Sequence, residues 1–124
     1  RGETADALTP QEPMDAHELA QQHCTPQKGA HKRLTGDTLA THLRSVPGWI
    51  EADNHISKDF QFADYAQVVA FVNQVAALAA AEDHHPDIMF GFNRVRVVFT
   101  THSVRGVSIN DLICAARIEA MRDL

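Results

Sequence analysis

The chain has 124 residues, of which 44% are hydrophobic, which is enough for one domain with a buried core and too little for two ordinary domains. Its formal net charge is −5 with the histidines neutral, and it contains no cluster of Lys and Arg, so the composition argues against nonspecific nucleic-acid binding. No apolar run is long enough to cross a bilayer, which argues against a membrane protein.

The beginning of the chain is polar and lacks periodicity. Residues 1–13 carry two prolines and are followed by Met14, so we expect an artificial extension before a natural start at Met14. A short helix is predicted over residues 15–23, followed by a link rich in Pro, Gly and Lys. We therefore divide the chain into a flexible N-terminal extension over residues 1–34 and a folded domain over residues 35–124.

The cysteines and the start of the chain predict the compartment. Cys24 and Cys114 are the only cysteines and do not have the spacing of a disulfide framework, so we expect reduced thiols. Because no secretory signal opens the chain, we expect a soluble cytoplasmic protein.

The first elements of the domain are a helix and a hairpin. Residues 35–37 are a predicted helix start, apolar residues recur at helical spacing after it, and residues 47–48 (Pro-Gly) end the helix. Residues 49–62 are predicted to form a β-hairpin with its turn at Asp53 and Asn54. The second arm alternates through Ile56, Lys58, Phe60 and Phe62.

Residues 63–82 form the strongest predicted helix. One apolar stripe is predicted to contain Tyr65, Val68, Val69, Val72, Val75 and either Leu78 or Ala79. Phe71 and Leu78 widen this stripe beyond what a single core face needs. The helix is therefore either deeply buried or in contact with a partner subunit, and the width of the stripe alone does not decide between them.

The last third of the chain is predicted to contain two strands and a closing helix. A short apolar segment over residues 88–92 leads through a turn to a clear strand over residues 94–101. Val95, Val97 and Phe99 should share one face, whereas Arg94, Arg96, Val98, Thr100 and His102 should share the other. Ser108 is a predicted N-cap with Asp111 three residues later, and Leu112, Ala115, Ile118 and Met121 lie at helical spacing. This order predicts an α+β fold with an antiparallel sheet and helices on one of its faces.

Three histidines and a carboxylate are the candidate functional residues. His84 and His85 follow the long helix, and Pro86 prevents that helix from continuing. His102 lies where the predicted strand should end, so it can converge on the pair. Adjacent imidazoles disfavour double protonation, so one neutral and one protonated imidazole can supply a general base and a general acid. Asp111 can orient an imidazole, although a capping role alone would also explain its position.

A metal site is the alternative interpretation of the same residues. Three histidines and Asp111 would be enough ligands, of the right type, for a zinc ion. However, none of the usual short spacings between zinc ligands accompanies them, so we predict no metal. His17, His23, Cys24 and His31 invite a second metal hypothesis, but they lie in the polar segment that we interpret as a tail.

The sequence from about Leu39 to Met121 resembles the pterin-4a-carbinolamine dehydratases, which are also described as dimerisation cofactors of a homeodomain transcription factor. The resemblance rests on His84-His85-Pro86, Phe92, Thr101-His102 and Asp111, supported by Gly48-Trp49, Phe60-Gln61-Phe62 and Gly106. One departure is Ala80, where the family usually has an acidic or polar residue; Glu82 or Asp83 could replace it.

The resemblance implies a fold, an activity and a set of site residues. The fold would be a four-stranded antiparallel sheet with three helices packed on one face. The activity would be dehydration of a 4a-hydroxytetrahydropterin without metal or cofactor, serving tetrahydrobiopterin recycling with an aromatic amino-acid hydroxylase as pathway partner. The catalytic residues would be His84, His85, His102 and Asp111, and the substrate-binding residues Asp83, Pro86, Thr101 and Ser103.

The resemblance also implies assembly, and two other functions stay open. Members of the family are dimers whose sheets join edge to edge, and some form tetramers through the long helix, so we expect a homodimer or homotetramer. The first alternative function is a coactivator-type binding module that uses Phe71 and Leu78 of the long helix. The second is a metal-dependent hydrolase built on the same histidines.

Overall fold

The computed structural model describes residues 14–122, so the predicted extension over residues 1–13 and the last two residues lie outside it. Its strands are β1 (Ile50–Ala52), β2 (His55–Gln61), β3 (Asp87–Phe90) and β4 (Arg94–Phe99). They form one sheet in the order β1-β2-β4-β3, and all three pairings are antiparallel. The predicted α+β class and the four-stranded antiparallel sheet are confirmed.

The β1–β2 hairpin has the predicted turn. Ala52 pairs with His55, and the two residues between them, Asp53 and Asn54, have φ values of 58° and 67°. Two successive left-handed residues match a type I′ turn, in which Asn and Asp are favoured because they tolerate this conformation. The turn therefore sets the register that the hydrophobic alternation of β2 requires.

The helices are α1 (Ala16–Ala20), α2 (Gly36–Leu43), α3 (Tyr65–Glu82) and α4 (Ile109–Arg122). Val95, Val97 and Phe99 are buried, as predicted, whereas Arg94 and Arg96 are exposed. The core therefore lies between one face of the sheet and the helices. In the part of the chain that the structure describes, no helix combines the length and the apolar character needed to cross a membrane.

The buried face of α3 differs from the predicted stripe. Tyr65 and Val69 are 48% and 38% exposed, while Phe71 is buried. The ring of Phe71 lies 4.7 Å from that of Phe60 and 5.1 Å from that of Phe62, measured between centroids. The stripe is ambiguous because α3 is apolar on several sides, and Phe60 of β2 and Phe62 directly after β2 select the face that packs. Phe71 belongs to the core, which favours the first of the two alternatives, a deeply buried helix, over a contact of Phe71 with a partner.

The segment before α2 packs against the domain, although the sequence predicts a flexible extension through residue 34. Leu19 in α1 is fully buried and belongs to the hydrophobic core. Further along, the amide of Leu34 donates a hydrogen bond to the carbonyl of Val107 at 2.7 Å. From Leu19 onwards this segment therefore contributes to the packing of the domain.

Candidate active site

The end of α3 determines where His84 lies. Asp83, directly after the helix, has a φ of 51°, and its amide donates to the carbonyl of Ala79. The amide of His84 donates to the same carbonyl at 3.2 Å. A left-handed residue that closes a helix in this way reverses the chain direction, and Pro86 then excludes further helix. His84 therefore leaves the helix at a fixed angle, towards the start of α4.

The start of α4 holds Asp111 in place. Its carboxylate Oδ2 accepts a hydrogen bond from the amide of Ser108 at 2.9 Å, and the Ser108 hydroxyl accepts from the amide of Asn110 at 3.2 Å. These bonds satisfy amides that the first turn of a helix leaves without partners. Asp111 thus caps α4, as its spacing from Ser108 predicts.

Asp111 also binds His84, and the two form the centre of the site. His84 Nε2 donates to Asp111 Oδ1 at 2.6 Å, and the Thr101 hydroxyl donates to Oδ2 at 2.8 Å. The Asp111 side chain is fully buried and the His84 side chain is 12% exposed. With the Ser108 amide, three donors converge on one carboxylate, which matches its ionised, acceptor-only form. We call His84 and Asp111 the imidazole–carboxylate pair.

Aromatic packing fixes the plane of the His84 ring. The ring is stacked on Phe99, with centroids 5.7 Å apart and an angle of 6° between the planes. Phe99 is the last residue of β4 and is buried in the core. The hydrogen bond to Asp111 and the stack on Phe99 together define both the tautomer and the orientation of the imidazole.

The other two predicted histidines are exposed. His85 follows His84, and His102 follows Thr101, so each is one residue from a hydrogen-bond partner of Asp111. Neither side chain forms a hydrogen bond within residues 14–122. The prediction of a strand over residues 94–101 that ends at His102 is wrong at this end: β4 ends at Phe99, and His102 opens a short 3₁₀ turn, His102–Val104.

The predicted substrate-binding residues differ in their environments. Pro86 is half-buried and Asp83 is exposed. The hydroxyl of Ser103 donates to the carbonyl of Gln27. The hydroxyl of Thr101 is buried and also pairs with that of Ser108 at 2.8 Å. Both hydroxyls are therefore engaged in hydrogen bonds within the protein, the one of Thr101 buried and the one of Ser103 exposed, whereas Asp83 and Pro86 flank His84 and His85 in the chain.

Sequence reasoning missed the residues that surround the pair. Phe99 was predicted only as a core residue, and Glu82 and Asn110 were assigned no partner in the N-terminal segment. No sequence signal identifies these contacts, because Phe99 packs on a turn that precedes it by 15 residues, and Glu82 and Asn110 bind a segment at least 58 residues away. Within residues 14–122, no three His, Cys, Asp or Glu side chains are arranged to hold a metal ion.

The fold and the site together define an α+β domain with a histidine-rich candidate acid–base site. The chain belongs to the family described as pterin 4 alpha carbinolamine dehydratase, whose model matches residues 32–121. The activity that gives this family its name is that of a lyase. The match covers the whole candidate site.

Similar proteins agree with this assignment. A candidate pterin-4-alpha-carbinolamine dehydratase from Xanthomonas campestris pv. campestris (strain 8004) is 47% identical over 107 residues, which is 85% of this chain and 91% of that protein. One from Nitrosospira multiformis is 42% identical over 104 residues, covering 84% of this chain and 92% of the other. A crystal structure described as a transcriptional coactivator/pterin dehydratase from Brucella melitensis matches with a TM-score of 0.69 and 35% identity. That match covers 72% of this chain and 97% of the other.

Proposed function

We propose that this protein removes water from a 4a-hydroxytetrahydropterin and releases the quinonoid dihydropterin, using histidines as general acid and base. The observation that carries the proposal is the buried imidazole–carboxylate pair, with His85 and His102 exposed beside it. Family membership supports the choice of a pterin as substrate. The reaction would serve tetrahydrobiopterin recycling in the cytoplasm, next to an aromatic amino-acid hydroxylase.

The chemistry asks for two proton transfers and a rigid binding site. One group protonates the departing hydroxyl on C4a, and another takes the proton from a ring nitrogen, so that water leaves and no redox step occurs. Each positioned acid–base group typically accelerates the reaction by about 10²–10⁴-fold. Imidazoles suit both roles near neutral pH, because the same side chain can donate or accept a proton.

The three histidines divide into one fixed group and two accessible groups. His84 is held by Asp111 and Phe99, so it can transfer a proton in one fixed direction. His85 and His102 are open to solvent and can approach a ligand that lies over the pair. Asp83 and Pro86 would border the pterin on one side. Thr101 and Ser103 would support the loop that carries His102.

Steady-state kinetics with 4a-hydroxytetrahydropterin tests this proposal. His84→Ala, His85→Ala and His102→Ala should each lower kcat, and His102→Ala should lower it about 10²-fold with a much smaller change in KM. The joint loss of His84 and His102 should be less than multiplicative, because groups that act as a unit are not additive.

His42→Ala is the matched control, because His42 lies on α2 and, among residues 14–122, its side chain bonds only to the Thr38 carbonyl of the same helix. It should leave kcat unchanged. A His102→Ala variant with normal kcat and a strongly raised KM would make His102 a binding residue instead. Loss of wild-type activity on chelation, with recovery on adding zinc, would favour the metal-dependent hydrolase.

A second candidate function is association with another protein chain, and exposed apolar residues favour it. Met89 and Phe90 lie on β3, an edge strand whose outer side pairs with no strand within residues 14–122, and Phe92 lies just beyond it; all three are exposed. A free strand edge with apolar side chains favours pairing with another strand. We therefore propose a homodimer through the β3 edge; a homotetramer would additionally use the exposed Tyr65 and Val69 of α3.

Light scattering coupled to gel filtration tests the assembly. Phe90→Glu should yield monomers, whereas Ile50→Glu at the opposite edge should not. A dimer that persists in Phe90→Glu and dissociates in Ile50→Glu would place the interface at β1. A wild-type monomer would contradict both assemblies.

A further inference from the structure

Two buried polar residues lie beside the imidazole–carboxylate pair in the chain without belonging to it. Glu82 precedes His84 by two residues, and Asn110 directly precedes Asp111. They are 9% and 6% exposed. Burial of a polar side chain costs free energy unless hydrogen bonds within the protein replace those to water. Each of these two side chains is therefore expected to have a hydrogen-bond partner in the protein.

The carboxylate of Glu82 binds the N-terminal part of the chain. Its Oε1 accepts from the amide of Cys24 at 2.7 Å, and its Oε2 accepts from His23 Nδ1 at 2.8 Å. Arg117 Nε lies 4.0 Å from the same Oε2 and donates to the carbonyl of Gln22 at 2.7 Å. Residues 22–24 are thereby fixed to the last residue of α3.

The side chain of Asn110 binds the next residue of the same segment. Asn110 Oδ1 accepts from the amide of Thr25 at 3.2 Å, and Asn110 Nδ2 donates to the carbonyl of Thr25 at 2.8 Å. Both hydrogen-bonding groups of one amide side chain are thus matched to one backbone residue. Residues 22–25, which we call the anchor segment, therefore connect the end of α3 to the start of α4.

These two connections bracket the hydrogen bond between His84 and Asp111. His84 lies two residues after Glu82 at the end of α3, and Asp111 directly follows Asn110 at the start of α4. The hydrogen bond between His84 and Asp111 is 2.6 Å long. The chain turns between Glu82 and His84 through the single left-handed residue Asp83. A small rotation there would move the imidazole away from Asp111, and misplacement by about 1 Å can cost on the order of 10²-fold in rate.

We propose that Glu82 and Asn110 are positioning residues, which act through the anchor segment to hold His84 against Asp111. The proposal rests on the proposed acid–base function of that pair. It assigns a role to a segment outside the sheet and the long helices. It also predicts that the site depends on residues 22–25, which contact neither His84 nor Asp111 by any side-chain hydrogen bond that the structure describes.

The experiment compares Glu82→Gln, Glu82→Ala and Asn110→Ala with wild type. Glu82→Ala and Asn110→Ala should lower kcat about 10-fold or more and change KM by less than about 3-fold, because misplacement acts mainly on the transition state. Glu82→Gln retains an oxygen acceptor for the Cys24 amide, so it should keep most of the activity and rescue the loss seen with alanine. Asp59→Asn is the matched control, since its carboxylate pairs with Arg96 on the exposed side of the sheet.

A second measurement separates this proposal from the proposed function. Nitrogen-15 NMR of the histidine rings reports the proton on His84 Nε2 and its hydrogen bond without any substrate. Glu82→Ala and Asn110→Ala should shift or broaden this signal, and Asp59→Asn should not.

An unshifted signal with normal kcat in folded variants would overturn the proposal, even if the melting temperature falls. A shifted signal in a protein without dehydratase activity would keep the positioning role and refute the function. If Glu82→Ala does not fold, Asn110→Ala carries the same test, and His23→Ala, which removes one of the two hydrogen bonds to Glu82, should give a smaller shift and a smaller loss of kcat.

Discussion

At the scale of single residues, the buried carboxylate of Asp111 accepts three of the hydrogen bonds that hold the candidate site together. It caps α4 through Ser108 and orients His84, so the two roles weighed from the sequence are both present in the geometry. The spacing from Ser108 to Asp111 predicts the capping role, because it is a known helix start, whereas the contact with an imidazole is an alternative that the sequence leaves open. It could not predict the stack of His84 on Phe99, since no sequence pattern relates the end of a strand to a turn 15 residues before it.

Asp111→Asn should reverse the tautomer of His84. The Ser108 amide and the Thr101 hydroxyl both donate to Oδ2, so the amide oxygen of the new side chain should face them. Its NH₂ group would then face His84 Nε2, which must become an acceptor with its proton on Nδ1. We expect kcat to fall about 10²-fold, with nitrogen-15 NMR showing the proton moved to Nδ1. A wild-type tautomer in the folded variant would contradict this.

At the scale of elements, local patterns predicted the strands and turns better than the buried face of the long helix. The alternation of β4 and the Asp53-Asn54 turn are explicit in the residue order, because strands and tight turns have few conformations. The helix α3 has apolar residues around most of its circumference. Its buried side is decided by contacts with Phe60 and Phe62, which no local pattern encodes.

The left-handed turn that ends α3 makes a prediction at this scale. Asp83→Val should reduce the free energy of unfolding by about 1–2 kcal/mol, because a β-branched residue is strained at a φ of 51°. Asp83→Asn is the matched control and should lie within about 0.5 kcal/mol of wild type, since Asn tolerates this conformation. Denaturant unfolding of both variants measures the difference. Equal stability of the valine and asparagine variants would show that the turn relaxes without cost.

At the scale of the whole molecule, the packing of the N-terminal segment is the feature that the sequence did not predict. Residues such as His23 and Thr25 are polar and follow no periodic pattern, so composition favoured a tail. Their contacts to Glu82 and Asn110 are hydrogen bonds to side-chain groups at least 59 residues away. Within residues 14–34, Leu19 is fully buried, and Met14, Ala20, Cys24 and Leu34 are partly buried against the core. These few apolar residues lie among polar ones without a helical or strand period, which is too weak a signal to predict docking.

Glu82 should make the stability of the whole molecule sensitive to acid. Burial raises the pKa of its carboxyl group, but the hydrogen bonds from Cys24 and His23 and the charge of Arg117 outweigh this and lower the pKa below its usual value. A carboxyl group with a lowered pKa in the folded state stabilises the fold above its unfolded pKa. That contribution is lost as the pH falls from about 4.3 through the folded pKa.

The expected result is a pH-dependent difference in the free energy of unfolding between wild type and Glu82→Gln. The difference should be largest near neutral pH and should shrink as the pH falls below about 4.3, where the wild-type carboxylate becomes protonated and resembles the neutral amide. Asp59→Asn provides the comparison: the hydrogen bond from Arg96 lowers the pKa of Asp59, but this pair is exposed, so solvent screening should make its difference smaller. Denaturant unfolding at a series of pH values measures all three proteins. A Glu82→Gln difference that stays constant from neutral pH to pH 3 would mean that the charge of Glu82 does not hold the anchor segment in place.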